Sequence, residues 1–171
     1  MLLLLLVLFG LLQAALLLGG RDILHHASAR AARARTVGFN DWMALKAARV
    51  AAIPVSGRML TEQMGYDPGL DGSSGEFEVA RIPQYLEAEY DVRADYILDY
   101  EEWENGHLHF GERPSLLGGG VLHYDAVHEM PLKMPLAPVV FPWATLDGEG
   151  IPRIRMESHA AAGEHSSLYL E

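Results

Sequence analysis

The chain has 171 residues, a formal net charge of −10 and no cysteine, which is one domain's worth of protein with neither a disulfide framework nor a thiolate metal site open to it. The charge is unevenly placed: up to Val50 six basic residues face two acidic ones, a net of +4, which leaves −14 for the remainder. A basic stem beneath an acidic head argues against nucleic-acid binding by the head, where a basic patch would be expected.

Met1 to Leu18 carry no charge and one polar side chain, Gln13. As a helix this run is about 27 Å long, close to the thickness of a bilayer's hydrocarbon core. A signal peptide needs a basic n-region and a small-residue cleavage site, whereas nothing basic precedes Leu2 and the run exceeds a usual h-region. The expectation is a retained segment, with a short charged leader cut off ahead of Met1. Its two fates are a membrane span or burial among copies of itself. Gly19 and Gly20 come next, and in a helix interior the pair costs about 1.5 to 2 kcal/mol relative to alanine. They predict a break, either a hinge or a place where the stem unwinds as subunits pack.

From Arg21 the composition stays helical, with Ile23, Leu24, Ala27, Ala31 and Ala34 on one narrow stripe of small residues. Arg30, Arg33 and Arg35 sit toward the C-terminal end, where cations suit the helix dipole. Gly38 is the predicted C-cap. Asn40 should then N-cap a short second helix that Pro54 closes after Ile53. The predicted stem is therefore residues 1–53 and the acidic head residues 54–171.

An apolar run leading into an alanine-rich helix with the element Ala31-Ala32-Arg33 resembles the TadE-like branch of the type IV pilin superfamily. The likeness extends loosely to the C-terminal part, where a proline-interrupted apolar segment stands between strands. The resemblance implies a filament core built from Leu5, Phe9, Leu12, Gln13, Leu16, Gly19, Gly20, Leu24, Ala27 and Ala31. It implies Arg21, Arg30, Arg33 and Arg35 as partners for acidic groups on adjacent subunits. Many type IV pilins carry a glutamate at the fifth mature position that pairs with a neighbour's amine, and this chain has Leu5 there. Either the register differs, Gln13 plays a reduced polar role, or assembly proceeds without that ion pair.

In the head, residues 66–75 are dense in turn formers and read as an acidic loop, without the ligand spacing of an EF-hand. Pro83 is expected in the first turn of a helix ending near Tyr100, with Leu86, Tyr90, Ala94, Ile97 and Leu98 on its apolar face. Tyr85, Tyr90, Tyr96, Tyr100 and Trp103 read as the rim of a packed face. Asn105-Gly106 suggests a hairpin turn. Val121 to Met130 alternates, with Leu122, Tyr124, Ala126, His128 and Met130 on one side of a strand. Pro131 to Pro142 should run as an extended edge or covering segment. Ile151 to Ser158 is a further strand and Ser167 to Leu170 a short terminal one. The predicted class is α+β: a long apolar stem helix with a small antiparallel β-sheet head.

His107 and His109 share one face of a strand, a weak metal candidate with His123 and His128 nearby, since zinc needs three or four converging ligands. His25 and His26 are expected to contact neighbours. Ser56, Ser73 and Ser166 stand in no nucleophile elbow, and the adjacent Glu101 and Glu102 cannot flank one bond. The expectation is a protein that is not an enzyme and uses no metal or cofactor. By resemblance it is the subunit of an extracellular, adhesive, pilus-like homopolymer with a membrane-inserted precursor stage. Its implied partners are itself, a prepilin peptidase and the inner-membrane pilus assembly machinery, with no nucleic acid. The alternative is a single-pass membrane anchor with a non-enzymatic binding or scaffold head, in which the arginines after the span favour a cytoplasmic head.

Overall fold

The computed structural model describes residues 1–60, 74–88, 94–113, 121–134, 137–148 and 150–163. Helix α1 runs unbroken over Leu2–Thr36, about 52 Å at the usual rise. The predicted break at Gly19-Gly20 is absent, and Gly20 supplies the reason. A Cβ there would stand 2.9 Å from Met130 Sδ and 3.2 Å from Met156 Cε. The missing side chain is what lets the helix lie close on the head, and that packing offsets the propensity cost. Val37 caps the helix and Gly38, at φ +95, follows. Gly38 N–H then donates to Arg35 O and Phe39 N–H to Ala34 O, satisfying two terminal carbonyls.

Helix α2, Asp41–Ala51, starts as expected, with the Asn40 side chain accepting from Met43 N–H at 2.8 Å. Buried Ala44 and Ala48 meet Ala31 and Ala32 of α1, so the small-residue stripe serves a helix pair within the chain. The helix ends two residues before Ile53, and Pro54 lies inside a 3-10 turn, Ile53–Val55. Helix α3, Ser74–Glu87, begins well before Pro83, which falls within it. An interior proline leaves the carbonyl four residues back without its helical donor. Here Val79 and Pro83 both lie on the exposed side of α3, where water can serve that carbonyl. The predicted continuation to Tyr100 is instead a 3-10 turn, Ala94–Tyr96, and a one-turn helix α4, Glu101–Glu104, follows.

Asn105-Gly106 ends α4 and does not form the predicted hairpin. Gly106, at φ +70, donates to Trp103 O, and His107 N–H donates to Glu102 O. A left-handed residue closes a helix as readily as it turns a hairpin. Strands β1, Leu108–Arg113, and β2, Val121–Pro131, then pair antiparallel. A one-turn helix α5, Ala137–Val140, precedes β3, Thr145–Leu146, and β4, Pro152–Gly163. The sheet order is β1-β2-β4-β3. The chain is therefore α+β, with a long N-terminal apolar helix and a small antiparallel sheet.

Register fixes which side chains meet the helices. Phe110 stands opposite Ala126, Tyr124 opposite Ala160, and His128 opposite Met156. Tyr124, Ala126 and His128 are buried as the alternation required, and Ser28 Oγ of α1 lies 3.3 Å from Ser158 Oγ of β4. The opposite face carries Asp125, Glu157 and His159 toward water, the usual division of a sheet covered on one side. Tyr85, Tyr100 and Trp103 are core residues beside α2, with Trp103 Nε1 donating to Ser56 Oγ at 2.7 Å. The side chains of Tyr90 and Tyr96, the loop over 66–73 and the predicted strand over 167–170 lie outside the described residues.

Candidate functional site

The two halves of α1 are built for different surroundings. From Gly20 onward the helix belongs to the head: Leu24, Ala27 and Ala31, expected to pack between subunits, are fully buried against the chain's own α2 and sheet. Before Gly20 the same helix protrudes. Leu3, Leu4, Leu5, Val7, Leu8, Leu11, Leu12, Leu16 and Leu18 each keep at least 41% of their surface exposed. Covering one such side chain is worth about 1.5 to 3 kcal/mol, and an apolar surface this continuous marks an interaction site. The helix is long and apolar enough, by length and composition, to cross a membrane.

One flank of the protruding half is covered by the chain's own proline-rich segment, which over Ala137–Val140 is a helical turn and not the extended run expected of Pro131 to Pro142. Gly10 faces Val140 of α5, whose methyl carbons would be 3.4 Å from an added Cβ. Gln13 is fully buried there, and its Oε1 accepts from Met134 N–H at 3.1 Å. Its Nε2 is buried without a hydrogen-bond partner. Phe9 is half-buried, and a Cβ added at Gly19 would meet nothing within 4 Å. The expected core set therefore divides: Leu5, Phe9, Leu12, Leu16 and Gly19 remain available, while Gln13, Gly20, Leu24, Ala27 and Ala31 are committed within the chain.

The arginines divide too. Arg21, Arg30 and Arg33 are exposed along α1. Arg35 is engaged at home: it pairs with Asp41 and Glu112, each at 3.0 Å, and donates to Phe39 O at 2.7 Å. That set ties α1 to the start of α2 and to β1.

Buried polar chemistry gathers where β2 and β4 end. Arg153 of β4 donates to Glu102 of α4 at 2.8 Å, to Asp147 at 2.6 Å and to Glu129 O at 2.9 Å. Burial opposes its charge, but the hydrogen bond to Asp147 and the charge of Glu102 prevail and raise its pKa. His128, also fully buried, has Nδ1 3.2 Å from His107 O, so an acceptor carbonyl places its proton on Nδ1. Burial lowers its pKa. His128, Glu102 and Lys133 line a groove that Leu16 of α1 also borders. His107 pairs with Glu129 at 3.1 Å, while His109 is exposed. Among the described residues no three His, Asp or Glu side chains converge in a metal-binding arrangement. Lys46 is buried between the rings of Trp42 and Tyr85 and donates to Ala88 O at 2.6 Å. These groups tie helices and strands of the head together.

The sequence did not reveal the Gln13 to Met134 link or the Arg153 cluster, since each joins residues far apart in the chain. A signal for the first was present: from Met130 to Leu146 the sole charge is Lys133. Fold and site together define an α+β protein whose stem helix is half embedded in its head and half bare. Compared with family models, curated proteins and solved structures, the chain has no match.

Proposed function

We propose that the protein is a filament subunit of pilin-like design. The bare half of α1 holds it in a membrane before assembly and packs against the same half of neighbouring copies afterwards. One observation carries this reading: a single rigid helix is fixed to the head from Gly20 onward and leaves nine large apolar side chains uncovered before it. In lipid those side chains gain nothing by association, because acyl chains are as apolar as leucine. Once out of lipid, each has the full burial energy to gain from a sibling helix. Identical contacts repeated head to tail without closing generate a helical filament. The exposed Arg21, Arg30 and Arg33 are cations that acidic heads of adjacent copies can meet.

The test is electron microscopy of material sheared from cells expressing the chain, with Leu12→Asp as the perturbed form. Fibres containing the wild-type chain and none from the variant are expected, because an unpaired charge in an apolar core is costly. Recovery of the wild-type chain only as a detergent-solubilised monomer would overturn the filament reading and leave the membrane-anchored one. Undiminished fibres from Leu12→Asp would overturn burial of this half in the filament core.

A further inference from the structure

The segment that leans on the bare half of α1 is itself unusual for this head. Residues 51–171 hold 21 of the chain's 23 acidic side chains, yet the seventeen residues from Met130 to Leu146 contain none. Within that stretch Val139, Trp143 and Leu146 are each at least 65% exposed. Phe141 packs edge-on against Trp143 at 5.5 Å between ring centres. An acidic head thus presents an uncharged apolar projection, and that projection lies along the flank of α1, the one helix among the described residues long and apolar enough to cross a membrane.

Its level along α1 is fixed by two contacts. Met134 is held by Gln13, and Val140 meets Gly10. Gly10 lies ten residues before Gly20, where the sheet begins, so Val140 stands about 15 Å down the helix from the head, near half the depth of a hydrocarbon core. Irregular backbone enters lipid only if its polar groups are satisfied or covered by protein. Pro131, Pro135, Pro138 and Pro142 have no N–H to satisfy. Leu132 N–H donates to Pro152 O at 2.8 Å and Ala144 N–H to Phe141 O at 3.1 Å. Met134 N–H is taken by the one polar side chain of the apolar run.

From this we infer that the projection formed by Ala137–Leu146 dips into the bilayer beside the bare half of α1, so that the protein holds the membrane by two elements. The occupant of its exposed face is lipid: acyl chains against Val139, Val140 and Phe141, with the amphipathic Trp143 ring suited to the boundary region. Exposed Arg21 stands at the head end of this unit and exposed Lys133 borders Leu16 below it, where a long side chain reaches up to anionic headgroups. The inference rests on the membrane-inserted stage of the proposed function, and its test separates the two.

Because the chain has no cysteine, single spin labels can be placed cleanly in the full-length protein. Val139→Cys and Trp143→Cys test the projection, Leu11→Cys reports the stem, and exposed Glu157→Cys is the aqueous reference. Each labelled protein is reconstituted into phosphatidylcholine–phosphatidylglycerol vesicles, its fold checked by circular dichroism, and exposed to oxygen and to a water-soluble nickel chelate. The expected result is that residues 139 and 143 behave as residue 11 does, relaxed by oxygen and shielded from nickel, while residue 157 shows the reverse. Labels at 139 and 143 open to nickel while residue 11 is shielded would overturn the inference and leave the membrane stage standing. Nickel access at residue 11 as well would overturn both. Shielding of 139 and 143 from both reagents would make a second copy the occupant and overturn the lipid assignment.

Discussion

Gly19 and Gly20 are neighbours in sequence with opposite surroundings, so replacing each by alanine separates helix propensity from packing. At Gly19 nothing lies within 4 Å of an added Cβ. Gly19→Ala should therefore gain the full backbone benefit of about 0.8 to 1 kcal/mol, or about 2 to 4 °C in midpoint for a chain of this size. Gly20→Ala earns the same backbone term but places its methyl 2.9 Å from Met130 Sδ and 3.2 Å from Met156 Cε. Overfilling a packed site costs about 1 to 3 kcal/mol. The two methionines are flexible enough to keep the cost toward the lower part of that range. The net change runs from about zero to a loss of about 2 kcal/mol. The assay is thermal unfolding of both full-length variants in the same mild detergent, followed by circular dichroism at the helix band. A Gly20→Ala midpoint raised as far as that of Gly19→Ala would refute the close approach of α1 to the sheet. A Gly19→Ala midpoint that does not rise would refute a continuous helix at that point.

Removing Arg153 leaves Glu102 and Asp147 facing each other with little solvent; Arg153→Met should cost about 3 to 5 kcal/mol in chemical denaturation. Glu102→Gln should cost less, because Asp147 still neutralises the guanidinium, and equal losses would count against that division of roles. His128 takes up its proton less readily in the folded chain than in the unfolded one, because burial lowers its pKa from 6.5. Below about pH 6.5 the unfolded state therefore binds the extra proton, and stability falls as the pH drops. His128→Gln should flatten that part of a stability-against-pH curve, and an unchanged slope would remove His128 as its source.

What the sequence made legible was governed by local rules. The Asn40 cap, the buried side of β2 and the apolar run all follow from the next few residues, and each appears where expected. The misses occur where one local signal serves two structures. Gly106 takes up a left-handed conformation, as an Asn-Gly hairpin requires, but the chain uses it to close α4. Gly19-Gly20 carries the propensity cost of a break, yet the sheet surface that repays it lies more than a hundred residues away at Met130 and Met156. The candidate site divides in the same manner. Leu5, Leu12 and Leu16 stay largely exposed among the described residues, as an apolar run before the head suggests, whereas burial of Leu24, Ala27 and Ala31 depends on an α2 and a sheet that periodicity in α1 cannot describe.

Gly19 has a mechanical meaning as well. Tension applied to the head and resisted by the first turns of α1 must pass along the helix through a residue with no side chain, where an added Cβ would meet nothing within 4 Å. On the head side the helix lies against two methionines at Gly20, and on the far side Leu16 borders the groove with Met130 and Lys133 before Gln13 holds Met134. At Gly19 itself that load is carried by the helix backbone, with no side chain to share it.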